Sequence, residues 1–299
     1  MPISCRPAKE RVNTDVLSTR QVATLLGVGE ATVKRWADAG EIDCFRTPGG
    51  HRKFRLRDVT AFVQKRQYQT AGPLPAAVAQ GADEPGEQAI RLFAEAALRG
   101  DSPALVAQLA GLRLRGHSLA ELFDEIVTPA LHRIGDEWAQ GKLSVAEEHV
   151  AAQAVIDVVA RSQPLAEPPG EPVRADRGTA VVAAVAGELH DIASRMAACL
   201  LRAQGFEVLA PLAQTPARDL ADLILRARAS VVALSSTMSS EVGEQVAACV
   251  TAAEQTGGRV IVGGEGMRKA NLHADAKLLG TLRELEVEAR GAGRQPARG

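Results

Sequence analysis

Three short segments concentrate the residue types that bind ligands. Gly187-Glu188-Leu189-His190-Asp191-Ile192-Ala193, Ser235-Ser236-Thr237 and Gly263-Gly264 each follow a short apolar run. A lone histidine in a loop reads as a surface residue. A histidine with a carboxylate two positions earlier, small hydroxyls at a fixed distance and paired glycines reads as a binding site. A second group lies earlier, where Trp138 is followed after nine residues by Glu148-His149, in WAQGKLSVAEEH. Glu148 stands in helical register with Ala152 and Val155, so a semi-apolar space is expected beside it, and a carboxylate there needs a partner. A third group is basic: Thr32, Lys34, Arg35, Arg46, His51, Arg52 and Lys53. Residues 1–70 hold 13 Lys and Arg against 7 Asp and Glu, whereas residues 71–299 hold 22 against 29. A basic front on an acidic body points to nucleic acid as the partner of the front.

These groups need elements to position them. Ser18 and Gln21 form a capping box ahead of Val22, Leu25 and Leu26, and Gly27 stops that helix. A second helix spans Glu30 to Ala39, with Val33 and Trp36 inward and Gly40 as its stop. Three residues between the helices is helix-turn-helix spacing. A hairpin from Ile42 to Phe54 turns at Thr47-Pro48-Gly49-Gly50, and a third helix follows with Val59, Phe62 and Val63 inward. In the middle of the chain Leu122, Ile126, Ala130, Ile134 and Trp138 form one apolar row. Gly141 ends that helix, and Ser144 to Glu147 is a capping box opening the next, where Val145, His149, Ala152 and Ile156 share a face. A four-helix bundle is expected.

The last third changes rhythm. TAVVAAVA (179–186), FEVLA (206–210), SVVALSS (230–236) and RVIVGG (259–264) are short apolar runs separated by helical stretches. That alternation predicts a parallel sheet covered on both faces, with ligands at the carboxyl ends of its strands. The expected fold is therefore multidomain α and α/β. A winged helix-turn-helix occupies 14–67, a linker 68–87, a four-helix bundle 88–161, a second linker 162–178, a Rossmann-like (flavodoxin-like) parallel α/β domain 179–290 and a disordered tail 291–299.

The 299 residues are 46% hydrophobic and 24% charged, the composition of a globular protein with a real core. No apolar run reaches the ~20 residues of a membrane span. The N-terminal segment MPISCRPAKERVNTD lacks a signal peptide's apolar stretch, so a cytoplasmic location is expected. Cys5, Cys44, Cys199 and Cys249 form no Cys-x-x-Cys pair, which argues against a disulfide scaffold and a zinc finger.

The three C-terminal segments resemble the cobalamin-binding domain, whose pattern is Asp-x-His-x-x-Gly, about forty residues, Ser-x-Leu, then Gly-Gly. Forty-one residues separate Ala193 from Ser235 here. The resemblance implies that His190 is the axial cobalt ligand and that Glu188 orients its ring. It also implies that Asp191, Ile192, Ala193, Ser235, Ser236, Thr237, Gly263 and Gly264 bind the cofactor, the glycines and hydroxyl residues lining a slot for its displaced nucleotide tail. Three positions depart from the pattern: Glu188 for Asp, Thr237 for Leu and Ala193 for Gly. The methyl of Ala193 intrudes on the slot unless the backbone there has an ordinary φ.

With the winged helix in front and the bundle between, the chain resembles the CarH family of adenosylcobalamin-dependent, light-responsive repressors of the MerR type. The resemblance implies that the bundle caps the upper corrin face, with Trp138 against the adenosyl group and Glu148 and His149 beside it. Ala139 stands where some relatives carry a histidine that takes cobalt after the adenosyl group leaves, so by the resemblance the light state either lacks this second ligand or recruits His149 or His132. The front module resembles MerR and excisionase winged helices. By that likeness Thr32, Lys34 and Arg35 face the major groove, and Arg46, His51, Arg52 and Lys53 reach phosphates or the minor groove. The expected protein is not an enzyme. It is a homo-oligomeric (by resemblance tetrameric) repressor of a double-stranded DNA operator, with adenosylcobalamin, or else methylcobalamin, as cofactor. The alternatives are a corrinoid methyl carrier and a regulator that senses another tetrapyrrole or no cofactor.

Overall fold

The computed structural model describes residues 16–26, 28–47, 49–55, 58–59, 62, 86–114, 117–162, 175–213, 215–238 and 242–291. They fall into two compact units, within residues 1–72 and 73–299. Gly27, Pro48, Val63, most of the expected linkers and tail, and the Gln21, Leu25 and Leu26 side chains lie outside the described residues.

In the first unit β1 (Val16–Ser18) leads into α1 (Thr19–Leu26) and α2 (Glu30–Asp38), followed by β2 (Phe45–Arg46) and β3 (Arg52–Arg55). The strands form an antiparallel sheet in the order β1-β3-β2, with Val16 opposite Arg55 and Arg46 opposite Arg52. β1 was not foreseen, because three residues are too short to show a period. Gly40 closes α2 at φ +66, a conformation glycine adopts without steric cost. Val22, Val33, Trp36, Ile42, Phe54, Val59 and Phe62 form the core, with the Trp36 and Phe62 rings 4.8 Å apart.

The second unit opens with four helical segments: α3 (Glu87–Leu98), α4 (Ser102–Leu114), a long broken helix, and α7 (Val145–Arg161). The broken helix comprises α5 (Leu119–Leu122), a π-helical turn (Phe123–Val127) and α6 (Thr128–Ala139). The π turn precedes Pro129, which has no N–H for the carbonyl four residues back, so the regular ladder cannot continue there. Capping boxes open α5 (Ser118 with Glu121) and α7 (Ser144 with Glu147).

Two expectations about bundle faces need correction. Leu122, Ile126, Ala130 and Ile134 are buried, but the row breaks at Trp138, which is 48% exposed in the last turn of α6. On α7 the buried stripe is Ala151, Ala154, Val155, Val158 and Val159. Val145 and His149 are exposed and Ala152 and Ile156 only partly covered, because the helix is rotated by about one residue from the expected face.

The α/β part runs β4 (Thr179–Ala184), α8 (Ile192–Ala203), β5 (Glu207–Leu212), α9 (Ala217–Ala227), β6 (Val231–Ser235) and α10 (Gly243–Thr256). It continues with β7 (Arg259–Gly263), α11 (Glu265–Lys269), β8 (Ala276–Leu279) and α12 (Leu282–Gly291). All five strands are parallel, in the order β5-β4-β6-β7-β8. One sheet face packs on α8 and α12 through Ala197, Leu201, Leu285 and Ala289. The other packs on α9 and α10 through Leu220, Ile224, Val246 and Val250. Ala184 pairs with Ser235 and Ser235 with Gly263, so β4, β6 and β7 end level and present their loops side by side. β8 was missed because it is a half-exposed edge strand whose AKLL carries no clear alternation. Among the described residues no helix is long and apolar enough to cross a membrane.

Candidate functional site

The loop after β4 carries the most organised polar cluster. Glu188 is 1% exposed yet fully partnered. Its Oε1 lies 2.6 Å from His190 Nδ1 and accepts the His190 backbone N–H at 2.9 Å. Its Oε2 accepts the N–H groups of Thr237 at 2.7 Å and Met238 at 2.8 Å, from the loop after β6. Burial alone would raise this carboxyl. The N–H groups of Met238, His190 and Thr237, together with the His190 ring, outweigh it and hold the carboxyl at about 2. Ionised Glu188 accepts a hydrogen bond from Nδ1–H, which leaves the lone pair on Nε2 of a ring that is 58% exposed. Glu188 thus fixes the tautomer of His190 and ties together the loops after β4 and β6.

The neighbouring residues divide by role. Asp191 precedes α8, and its carboxylate pairs with Arg195 at 2.7 and 2.9 Å, so its charge is engaged within the helix. Ile192 and Ala193 form the first turn of α8, half-buried. Ala193 has no positive φ, so its methyl costs no backbone strain. Ala193, Ser194, Ser235, Gly263 and Gly264 line a cleft of about 180 Å³ between α8 and the ends of β6 and β7. Ser194 and Ser235 share a hydrogen bond of 2.8 Å at its wall. Gly264 has φ +101, and a Cβ there would sit 2.2 Å from the Ser236 carbonyl oxygen. Ser236 is buried, its N–H bonded to Gly263 O and its carbonyl accepting from Gly266. Thr237 contributes its N–H to Glu188.

Several participants were not foreseen. Ser194 follows Ala193 directly and stands four residues after His190, a helical spacing that could have exposed it. Gln245 takes the Ala186 N–H at 2.7 Å and braces the same loop from α10. Asp124 and Thr128, from the bundle, line the far side of the cleft. They lie more than fifty residues before the motif, and no local pattern marks them.

On the bundle, Trp138, Val145, His149 and Val150 are all exposed. Glu148 is half-buried with its carboxylate 3.7 Å from His149 Nε2, a contact that becomes an ion pair only when the imidazole is protonated. Among the described residues no hydrogen bond or ion pair joins Trp138, Glu148 or His149 to the His190 cluster.

The helix-turn-helix unit separates its basic residues into two kinds. Lys34 and Arg35 project from α2 on the side away from Val33 and Trp36, with Thr32 partly covered. His51 is exposed, Lys53 half-buried, and Arg46 braces the wing by donating to Gly50 O at 3.3 Å. Arg52 also has a partner within the protein. Its guanidinium is bonded to Asp38 at the end of α2 and is 17% exposed, so it fastens the wing to the helix. Similarly, Arg55 lies over the Phe45 ring at 5.8 Å.

Comparison with known proteins fits this arrangement. Residues 16–67 match the helix-turn-helix domain family, and residues 89–162 and 178–285 each match a B12 binding domain family. Over 79 residues the chain is 42% identical to the transcriptional repressor DcmR of Methylorubrum extorquens, a stretch that spans 26% of this chain and 28% of that relative. Over 238 residues it is 28% identical to the HTH-type transcriptional repressor CarH of Myxococcus xanthus, covering 73% of this chain and 77% of that one. The monomethylamine corrinoid protein of Methanosarcina barkeri superposes with a TM-score of 0.55 at 14% identity, over 69% of this chain and 99% of the other, a likeness of fold.

Proposed function

We propose that this CarH-like, B12-binding transcriptional regulator is a repressor that holds cobalamin through His190 and releases its operator when the group on the opposite corrin face is lost. The observation that carries the reading is the Glu188–His190 pair: a buried carboxylate, ionised at neutral pH, that commits Nδ1–H and leaves Nε2 as a ligand atom on an exposed ring. The residues fit a corrinoid. One imidazole suits a metal already chelated in a macrocycle, and the adjoining cleft has the small hydroxyl and glycine walls that a nucleotide tail needs. Bound as adenosylcobalamin, the cofactor would be held by His190 Nε2 and would supply a light-labile Co–C bond.

The chain's own part follows from its geometry. Glu188 orients the ring and joins the β4 and β6 loops, so gripping at Nε2 is transmitted to both. Gly264 lets the backbone turn beside the cleft where no side chain fits. Trp138, Val145 and His149 offer an exposed, largely apolar surface on the bundle that an adenosyl group would cover, and Glu148 stands beside it. Contacts present in only one ligand state shift the bundle's equilibrium by their own free energy. If copies of the chain assemble only in that state, several helix-turn-helix units engage DNA together, and avidity turns a small change into a large loss of binding.

The test is direct. Purified protein given adenosylcobalamin in the dark is expected to show a base-off, histidine-ligated spectrum, and green light is expected to change it together with the operator gel shift. Retention of methylcobalamin with methyl transfer to a partner enzyme would instead support a carrier. Failure to bind any corrinoid defeats the proposal.

A further inference from the structure

We infer that Asp124 is a positioning residue through which the bundle completes the cleft beside His190, so that occupation of the lower side of the site and docking of the bundle are a single coupled event. This rests on the cobalamin reading above and concerns the side of the ligand away from Trp138. Asp124 sits in the π-helical turn. Its two carboxylate oxygens accept the first backbone N–H groups of α12, Leu282 at 2.9 Å and Arg283 at 3.0 Å. Arg283 answers with its own side chain, 2.9 Å from Glu125 and 3.7 Å from Asp124. One bundle carboxylate therefore caps a helix of the α/β domain some 158 positions further along the chain. An ionised oxygen accepting from a helix N-terminus is among the stronger polar contacts available.

The same residues form the wall of the cleft. Asp124 and Thr128 line it together with Ser194 and Ser235, as do Leu282, held by Asp124, and Thr281, held by Glu284. Most of the remaining lining is apolar sheet and helix surface that cannot adjust, because Ile261 and Leu285 are packed in the core. Without the Asp124 cap, the first turn of α12 keeps its own Thr281–Glu284 contacts but loses its tie to the bundle, and the cleft loses a polar lining group. By linkage, whatever fills the cleft tightens the cap, and the cap tightens whatever fills the cleft.

The experiment uses the full chain and two corrinoids, cobalamin and cobinamide, which lacks the nucleotide tail. Spectral titration gives the affinity of each for wild type, Asp124→Asn and Asp124→Ala. Thermal melting shows which variants remain folded, and the isosteric Asn, which keeps one acceptor oxygen, serves if Ala does not. The expected result is a cobalamin affinity lowered roughly tenfold or more, the scale of one or two lost charge-assisted hydrogen bonds, with cobinamide affinity changed less than twofold. An unchanged cobalamin affinity in a folded variant, or an equal loss for both corrinoids, overturns the role of Asp124. Wild type binding neither corrinoid overturns the cobalamin reading itself.

Discussion

Glu188 accepts four hydrogen bonds with two oxygens, and its low pKa has a consequence for stability. An acid whose folded value is depressed from 4.5 to about 2 stabilises the fold above pH 4.5 and loses that contribution as pH falls through 2. The shift corresponds to ~3 kcal/mol. Glu188→Gln should therefore unfold more easily than wild type at pH 7, and the gap measured by denaturant melts should close between pH 4.5 and 2. Gly264→Ala should be more damaging still, by ~3 kcal/mol or more, because it places a methyl against a backbone carbonyl at a strained φ. Gly263→Ala meets only the Leu279 oxygen at 3.7 Å and should keep the wild-type melting temperature. At the opposite extreme, burial pushes the Cys249 thiol up to about 12. In a Cys5→Ser, Cys44→Ser background, native protein at pH 8 should leave Cys249 unmodified by a thiol reagent.

At the scale of elements, the wing and α2 of the first unit make a separable prediction. Arg52→Ala removes the fastening to Asp38, so it should lower the melting temperature of this unit as well as DNA affinity. Arg35→Ala should leave melting unchanged and reduce the salt slope of operator binding by about one. Gel shifts over a salt series, beside melting curves, separate the two. The sequence made the helix-turn-helix legible because Val33, Trp36 and Gly40 carry a helical period and a stop within a few residues. The parallel sheet was legible for the same reason: four continuous apolar runs admit one covered architecture. β8 and β1 were not, since edge strands of three or four residues have no second face to betray them. The Glu188-x-His190 pair was readable because its geometry is local. The Ser194–Ser235 bond and the Asp124 cap were hidden, because they depend on how distant elements pack. The Arg52–Asp38 pair was hidden, since a charge pattern does not reveal which cations have a partner within the protein. The buried face of α7 was misread because alanines occupy both faces and blur the stripe.

At the scale of the whole molecule, charge divides the labour. The basic front should make operator binding fall steeply with salt, and the acidic remainder should keep that affinity from spreading to nonspecific sites. Removing the cofactor should change affinity at a fixed salt concentration while leaving the salt slope of one helix-turn-helix unit unchanged, because no predicted ligand residue lies in that unit. A monomeric fragment covering residues 1–72, if it binds at all, should show that slope and no response to cobalamin.

The bridge from Asp124 to the first turn of α12 also orders events during synthesis. The four helical segments emerge from the ribosome long before their anchoring point exists, and the intervening loop is costly to close early. A nascent chain stalled ahead of residue 282 would carry a finished bundle with nothing to grasp, and vitamin capture would wait for Leu282 and Arg283 to be made.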